Sequence, residues 1–305
     1  MTQDGLAFTH HRVRRVRQLL RKRNLRHAQG SLVVEGAELL SAALEAGAAV
    51  EAVYVAAGGR TGAEESEVLQ RAYNSGARVF DLAPGVVERI ADTVAPQPIL
   101  AVVGYATGRL EEVEGRSMVM VCVDVRDPGN AGTMIRTADA AGVEAVICCE
   151  GTVDPTNPKT VRASSGSLFH LPVIWGVGVH DVVGSLKSWG FATVGAVVHG
   201  GADYATFDWR RPTALVFGNE SSGLVPTIAD LLDERVSVPM KGRAESLNVG
   251  SSAAVLCFEA LRQRRSGERA GDGPGPARPV TSRPASTLPA STMPAMGDRT
   301  GEGPS

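Results

Sequence analysis

The run Ser117-Met118-Val119-Met120-Val121-Cys122-Val123-Asp124 decides the fold. A strand with one wet face alternates apolar and polar residues. The unbroken apolar stretch here suits a strand buried on both faces, as in a parallel sheet layered with helices. Further strands are predicted outward from it at Ala145–Cys149, Pro172–Trp175, Ala192–Val198, Thr213–Phe217 and Arg235–Pro239. Helical stretches separate most of them, and a last helix is predicted over Ser246–Arg264. This alternation predicts an α/β domain over residues 117–265 with a mostly parallel sheet covered on both faces. Upstream, strands at Ser31–Val34, Val50–Ala56, Arg78–Leu82 and Ile99–Gly104 alternate with helices near Glu38–Ala46, Glu64–Asn74 and Pro84–Ala91. They predict a second, smaller α/β domain within residues 1–106. Residues 107–116, polar with Glu111, Glu112 and Glu114, read as a linker.

The chain has 305 residues, 43% hydrophobic and 21% charged, enough for a full core, and its length favours two domains. Residues 266–305 hold seven proline and seven glycine residues, with Val280, Leu288, Met293 and Met296 as their sizeable apolar residues. So little apolar surface cannot offset ordering entropy, which predicts a disordered tail. No run of about 18 uncharged apolar residues suggests a membrane span, and Met1–His11 lacks the apolar core of a signal peptide. Cys122, Cys148, Cys149 and Cys257 form no CxxC pair, and three of them lie in apolar runs. A reduced, cytoplasmic, soluble protein is expected.

The net charge of −2 conceals segregation. Arg12, Arg14, Arg15, Arg17, Arg21, Lys22, Arg23 and Arg26 follow one another with no acid between Asp4 and Glu35. Val13, Val16, Leu19 and Leu20 fit one apolar stripe, so a single basic helix is predicted. A solvated surface would explain an ordinary charge run. Eight unneutralised cations repel one another unless an anion is near, and arginine suits bidentate phosphate recognition. Nucleic acid is the expected partner, ahead of an acidic membrane surface.

Several familiar sites are absent from the sequence. There is no GxxxxGK[ST] loop, no HExxH and no GxSxG, and the histidines and cysteines lack metal-ligand spacing. Gly176-Val177-Gly178 begins like a dinucleotide fingerprint, but Asp181 stands where the third glycine belongs. Three other segments follow or end second-domain strands. In Asp127-Pro128-Gly129-Asn130-Ala131-Gly132-Thr133-Met134-Ile135-Arg136-Thr137-Ala138, Pro-Gly-Asn predicts a turn and then a helix with amides suited to an anion. Arg136 is expected on its first or second turn, where an exposed helical arginine is the plainer reading. Phe217-Gly218-Asn219-Glu220-Ser221-Ser222-Gly223-Leu224 carries glycines that let backbone approach closely at a sheet's carboxyl edge. In Val238-Pro239-Met240-Lys241-Gly242-Arg243-Ala244-Glu245-Ser246-Leu247-Asn248-Val249, Ser246 is a candidate N-cap, and Asn248 could simply satisfy local backbone.

In this order, the three segments resemble the signature motifs of the SpoU (TrmH) family of the SPOUT superfamily, over about Ser117–Arg264. Members are S-adenosylmethionine-dependent RNA ribose 2′-O-methyltransferases. The N-terminal region is similar to the L30e/L7Ae-like RNA-binding domain found in many of them. The resemblance implies a C-terminal sheet with a deep trefoil knot and a homodimer whose active site is shared between subunits. Apolar residues of the final helix around Val255, Leu256, Cys257 and Phe258 would support that pairing. Carried over by position, Gly218, Val238, Met240 and Leu247 would hold S-adenosylmethionine, while Asn130, Arg136, Glu220 and Asn248 match the family's catalytic positions. Arg12, Arg14, Arg15, Lys22, Arg23 and Arg26 would bind RNA. No metal is implied. Two positions depart from the pattern. Ser221 stands where glycine commonly follows Asn-Glu, and Gly250 where serine is common.

The resemblance names the first-motif arginine as the usual candidate base. A guanidinium is rarely neutral in a protein, so Arg136 is better read as a clamp on an RNA phosphate that fixes the attacking hydroxyl. The two-domain layout favours 23S ribosomal RNA over transfer RNA, with housekeeping and antibiotic-resistance modification equally open. A non-catalytic RNA binder of the same fold is the alternative from another class, and a nucleotide-utilising enzyme a weaker third.

Overall fold

A computed structural model describes residues 5–59, 62–91 and 95–269; the predicted tail from residue 270 onward lies outside them. Strands β1 (Ser31–Glu35), β2 (Val50–Val55), β3 (Arg78–Asp81) and β4 (Ile99–Gly104) form an N-terminal sheet in the order β1-β4-β2-β3. This sheet is mixed. β4 runs antiparallel to β1 and β2, while β2 and β3 are parallel.

The second sheet contains β5 (Met118–Cys122), β6 (Val146–Cys149), β7 (Val173–Val177), β8 (Ala192–Ala196), β9 (Ala202–Asp203), β10 (Thr213–Phe217) and β11 (Glu234–Ser237). Their order is β7-β6-β5-β10-β8-β11-β9, and every pairing is parallel. The unbroken apolar run of β5 now has its cause. Met118, Met120 and Cys122 enter one core layer, while Val119 and Val121 enter the layer on the opposite face. Alternate residues of a strand point to opposite faces, so both sets must be apolar.

The helices are α1 (His11–Arg21), α2 (Arg23–Gln29), α3 (Ala37–Glu45), α4 (Ala63–Asn74), α5 (Val86–Ile90), α6 (Pro128–Ala140), α7 (Pro158–Ala163), α8 (Val179–Ser188), α9 (Pro226–Ala229) and α10 (Val249–Arg269). Val182, Val183 and Leu186 of α8 cover one face of the parallel sheet. Residues of α6, α7 and α10 cover the other and share a continuous core with Leu32, Val34, Val53 and Val55 of the N-terminal sheet. The opposite face of that smaller sheet buries Val13, Val16 and Leu19 of α1 with Val86, Val87 and Ile90 of α5. No described helix is long and apolar enough to cross a membrane.

Six local expectations need correction. The single basic helix is two, broken where Lys22 adopts extended backbone at φ −111° and ψ 103°. Pro-Gly-Asn is no separate turn. Pro128 occupies the first turn of α6, where its missing N–H costs nothing, and the Asp127 side chain caps the Asn130 amide at 2.8 Å. Arg136 therefore opens the third turn. The last helix starts at Val249, with Asn248 Oδ1 accepting from the Gly250 amide at 2.9 Å and the Ser251 amide at 3.3 Å, so the cap is Asn248 and not Ser246. It ends at Arg269, past the expected start of the tail. The linker is also more than a tether, because Leu110–Val113 forms a 3-10 turn whose Val113 is wholly buried.

Candidate active site and RNA-facing surface

Parallel strands bring their carboxyl ends to one edge, where open α/β sheets bind ligands. Three chain segments converge there, after β5, after β10 and after β11. Asn219 folds the second segment onto itself, exchanging backbone hydrogen bonds with Gly223 at 3.1 and 2.9 Å. Its Oδ1 accepts from the Ser221 and Ser222 amides at 2.9 and 3.2 Å, and its Nδ2 donates to the Asp124 carbonyl at 2.9 Å. A side chain on Gly218 would place its Cβ 2.2 Å from the Gly223 carbonyl carbon, so the loop's own backbone demands glycine there. The positive φ in this turn, +64°, belongs to Gly223. Ser221 needs no special backbone, and this departure from the family pattern leaves the loop intact. Gly250, the other departure, lies where α10 crosses α6, and a Cβ would come 3.1 Å from the Thr133 methyl.

The three segments are linked by one polar relay. Asn248 Nδ2 donates to Asn130 Oδ1 at 2.9 Å, and Asn130 Nδ2 donates to Glu220 Oε1 at 3.2 Å. Glu220 also accepts from the amides of Asp127 at 2.9 Å and Arg126 at 3.2 Å. Partial burial pushes the Glu220 pKa up, but the amides of Asp127, Glu220 and Arg126 and the Asn130 side chain outweigh it and leave the carboxyl below its ordinary range. The Asn130 amide in the first turn of α6 thus meets the Asp127 carboxylate, and the two amides leading into the helix meet Glu220, in place of the anion expected from the sequence. Arg136 is exposed, makes no hydrogen bond or ion pair among the described residues, and does not line the cavity beside the relay.

That cavity has a volume of about 430 Å³, and Gly218, Val238, Met240 and Leu247 all line it. Sequence reasoning missed Val198, His199 and Leu224 on its walls. Val198 is 49% exposed and Leu247 38%, so two aliphatic side chains of its walls face open space. The usable signal for Val198 is its place just beyond β8, at the same carboxyl edge. Main-chain groups from Pro239 to Leu247 make no backbone–backbone hydrogen bond among the described residues, which leaves peptide N–H and C=O free to read a nucleobase edge. Apolar walls, free peptides and a volume within the usual range of about 300–1,000 Å³ fit an adenosyl group.

The basic segment divides. Arg14, Lys22 and Arg23 are exposed. Arg12 lies over the Phe80 ring at 4.7 Å, and Arg15 pairs with Glu51 at 2.7 Å. Arg26, expected to bind RNA, is 5% exposed and spent elsewhere. Its guanidinium donates to Asp154 at 2.5 Å, to Thr156 Oγ1 at 3.0 Å and to the Leu19 carbonyl at 2.9 Å. A buried cation requires such partners, and Arg26 finds them in the other half of the chain. Burial keeps Asp154 from falling further, yet bonds from Thr156, Arg26 and His27 hold its carboxyl below the ordinary value. Arg17 and Arg89, absent from the expected set, both stack on the Phe8 ring, at 4.2 and 3.8 Å.

A parallel α/β sheet that gathers three loops around one cavity at its carboxyl edge, joined to a smaller domain with a basic segment, is the layout that the resemblance to SPOUT-class methyltransferases implies. Residues 117–258 match the SpoU rRNA Methylase family, and residues 10–101 match the MRM3-like substrate binding domain. The chain belongs to the SpoU rRNA methylase family. It is 33% identical to the 23S rRNA (guanosine(2553)-2′-O)-methyltransferase RlmP of Bacillus subtilis, over 75% of this chain and 87% of that one. It is 34% identical to the 23S rRNA (uridine(2479)-2′-O)-methyltransferase of Streptomyces viridochromogenes, over 83% and 90%. Among solved structures, the SpoU methyltransferase AviRb from the latter organism, in complex with AdoMet, superposes with a TM-score of 0.75 at 32% identity, covering 84% of this chain and 99% of that one. The AdoMet-bound rRNA methyltransferase of Sinorhizobium meliloti gives 0.73 at 31% identity, covering 83% and 95%.

Proposed function

We propose that this protein methylates a ribose 2′-hydroxyl of 23S ribosomal RNA in the cytoplasm, using S-adenosylmethionine. The cavity lined by Gly218, Val238, Met240 and Leu247, adjoining the Asn248–Asn130–Glu220 relay, is the observation that carries this reading. When bound, the cofactor supplies an electrophilic sulfonium methyl group. Val238 and Leu247 would flank the adenine, and free peptides of the loop before Asn248 would read its edge. Asn248 and Asn130, fixed by the relay, would orient the ribose and so lower the entropic part of the barrier.

Glu220 spends both oxygens on the loop before α6 and on Asn130, which suits a positioning residue better than a base. Arg136 lies outside its own cavity. We assign it to clamping an RNA phosphate at the cavity of a partner subunit, in a two-fold homodimer. Leu256 and Cys257 are buried within their own subunit, so of the apolar group expected to pair across subunits, Phe258, 47% exposed, is the strongest candidate. Residues 1–106 are the RNA-substrate half and 117–265 the methyl-transfer half. Exposed Arg14, Lys22 and Arg23, with the Arg17–Phe8–Arg89 stack, form the RNA face.

The test is direct. Unmodified 23S rRNA transcript and transfer RNA are incubated with protein and methyl-labelled cofactor, and ribose methylation is mapped. A single 2′-O-methyl site in 23S rRNA is expected. Label in transfer RNA alone, or cofactor binding too weak to detect by calorimetry, contradicts the proposal.

A further inference from the structure

The turn between β5 and α6 contains a backbone conformation that the relay does not explain. Asp124 has φ +56°, and Ser165 is the other described non-glycine residue with positive φ. Left-handed backbone is uncommon for residues with a Cβ, and when it persists at a site the surroundings must hold it. Here they do. Asn219 Nδ2 donates to the Asp124 carbonyl at 2.9 Å, tying the turn to the loop after β10. In this conformation the Asp124 carboxylate receives Arg126 Nε at 2.9 Å.

Arg126 is 73% exposed, and its two terminal nitrogens make no hydrogen bond among the described residues. Its backbone amide is fixed by Glu220 Oε2 at 3.2 Å. The guanidinium is thus steadied at Nε while its outer edge stays open. Asp124 and Asp127, with Glu220 of the cavity lining bonded to the Arg126 and Asp127 amides, would repel a phosphodiester, and Arg126 is the cation set among them. An arginine fork with two free amines matches a phosphate's paired oxygens.

We propose that Arg126 binds a backbone phosphate of the substrate RNA beside the methylated nucleotide, with Asp124 as the positioning residue that holds its guanidinium. This deepens the methyltransferase reading and rests on it. The phosphate sits on the same subunit as the cavity, which separates this contact from the one assigned to Arg136.

The experiment uses the full chain, unmodified 23S rRNA transcript and methyl-labelled cofactor, with variants R126Q, R126K, D124N and D124G. R126Q should raise KM for RNA about tenfold. It should also reduce the slope of log affinity against log salt by about 0.7 to 0.9, the value of one lost phosphate contact. Cofactor affinity should stay unchanged. R126K, which keeps charge but loses the fork, should fall between R126Q and the parent. D124G accepts positive φ freely, so its Tm should hold while its RNA KM rises. D124N, which also tolerates that backbone and keeps an oxygen for Nε but not the charge, should fall between D124G and the parent. If Asp124 served only the fold, Tm would fall and KM would not move.

An R126Q salt slope and RNA affinity equal to the parent overturn the proposal. If the parent binds the transcript but transfers no methyl group, the methyltransferase reading fails, and the slope comparison still decides the role of Arg126. If the parent methylates and R126Q matches it, only the Arg126 proposal falls.

Discussion

Replacing Asp154 with alanine should cost this protein a large share of its stability, and the structure shows why. Arg26 and Asp154 are each 5% exposed and 2.5 Å apart, joining the N-terminal half to the methylase half. The carboxylate also accepts from the Thr156 amide at 2.9 Å and the Thr156 hydroxyl at 2.7 Å, and lies 3.2 Å from His27 Nε2. Asp154→Ala would leave the Arg26 cation buried, with Thr156 and the Leu19 carbonyl as its remaining acceptors. Breaking one side of a buried pair costs about 3–5 kcal/mol, against a net stability of about 5–15 kcal/mol for a typical fold. Urea unfolding should show a lower midpoint with an unchanged m-value. The double variant Arg26→Met/Asp154→Leu should recover most of the loss, because it removes both charges and refills the space.

pH supplies a second check on the same pair. Because the folded pKa of Asp154 is depressed, its contribution is complete above the unfolded value of about 3.9 and disappears as pH falls through the folded value. The parent should therefore lose stability in acid more steeply than the double variant. A loss below about 1 kcal/mol for Asp154→Ala would refute the reasoning, as would a double variant no better than the single, since either would mean that the pair is not desolvated as described.

Other outcomes follow from the site. Gly218→Ala should abolish cofactor binding and lower Tm, because its Cβ meets Gly223 backbone at 2.2 Å, where nothing flexible can yield; calorimetry and thermal melts check this. Asn248→Ala removes both the α10 cap and the bond to Asn130, so kcat should fall while RNA affinity persists, with about 1 kcal/mol lost from stability. Arg264→Ala should destabilise by about 1–3 kcal/mol in urea melts, since its guanidinium holds the carbonyls of Trp209, Ser117 and Arg211. Changing Arg14, Lys22 and Arg23 together to glutamine should flatten the salt dependence of RNA binding without altering cofactor affinity, whereas Arg26→Gln should appear as a stability defect.

The parallel domain was legible because burial on both faces imposes an apolar run, and β5 and β10 carry one. The two-residue β9 left no such trace, having both residues exposed at the sheet's edge. The basic segment was readable as amphipathic but not as broken, because the break at Lys22 follows from where Arg26 must reach, a tertiary demand. Charge alone could not separate Arg26, buried against Asp154, from Lys22, facing solvent. At the site, the four cavity residues and the relay residues came from motif order. What the order left hidden was the use of each side chain: that Glu220 clamps amides, that Gly218 yields to its own loop, and that Asp124 bends to hold an arginine. The first depends on contacts across roughly ninety residues of sequence, Asp127 to Glu220, and the turn at Asp124 on Asn219 reaching back as far; the constraint on Gly218 is local, but it exists only once the loop folds back on Gly223.

The continuous core beneath both sheets bears on how this protein can be taken apart. Leu32, Val34, Val53 and Val55 share one apolar cluster with Met120, Leu168 and Phe217. At the seam Tyr105 stacks on Trp175 with ring centroids 5.7 Å apart and planes inclined by 6°. A fragment ending near residue 106 would present that surface to water and leave half of the Arg26–Asp154 pair without its counter-charge. Such a fragment should associate or bind RNA indiscriminately through its exposed cations, and would be a poor surrogate for the substrate half. The intact protein should melt in one transition, so an RNA footprint belongs to the undivided molecule, with both halves read at a fixed separation along the strand.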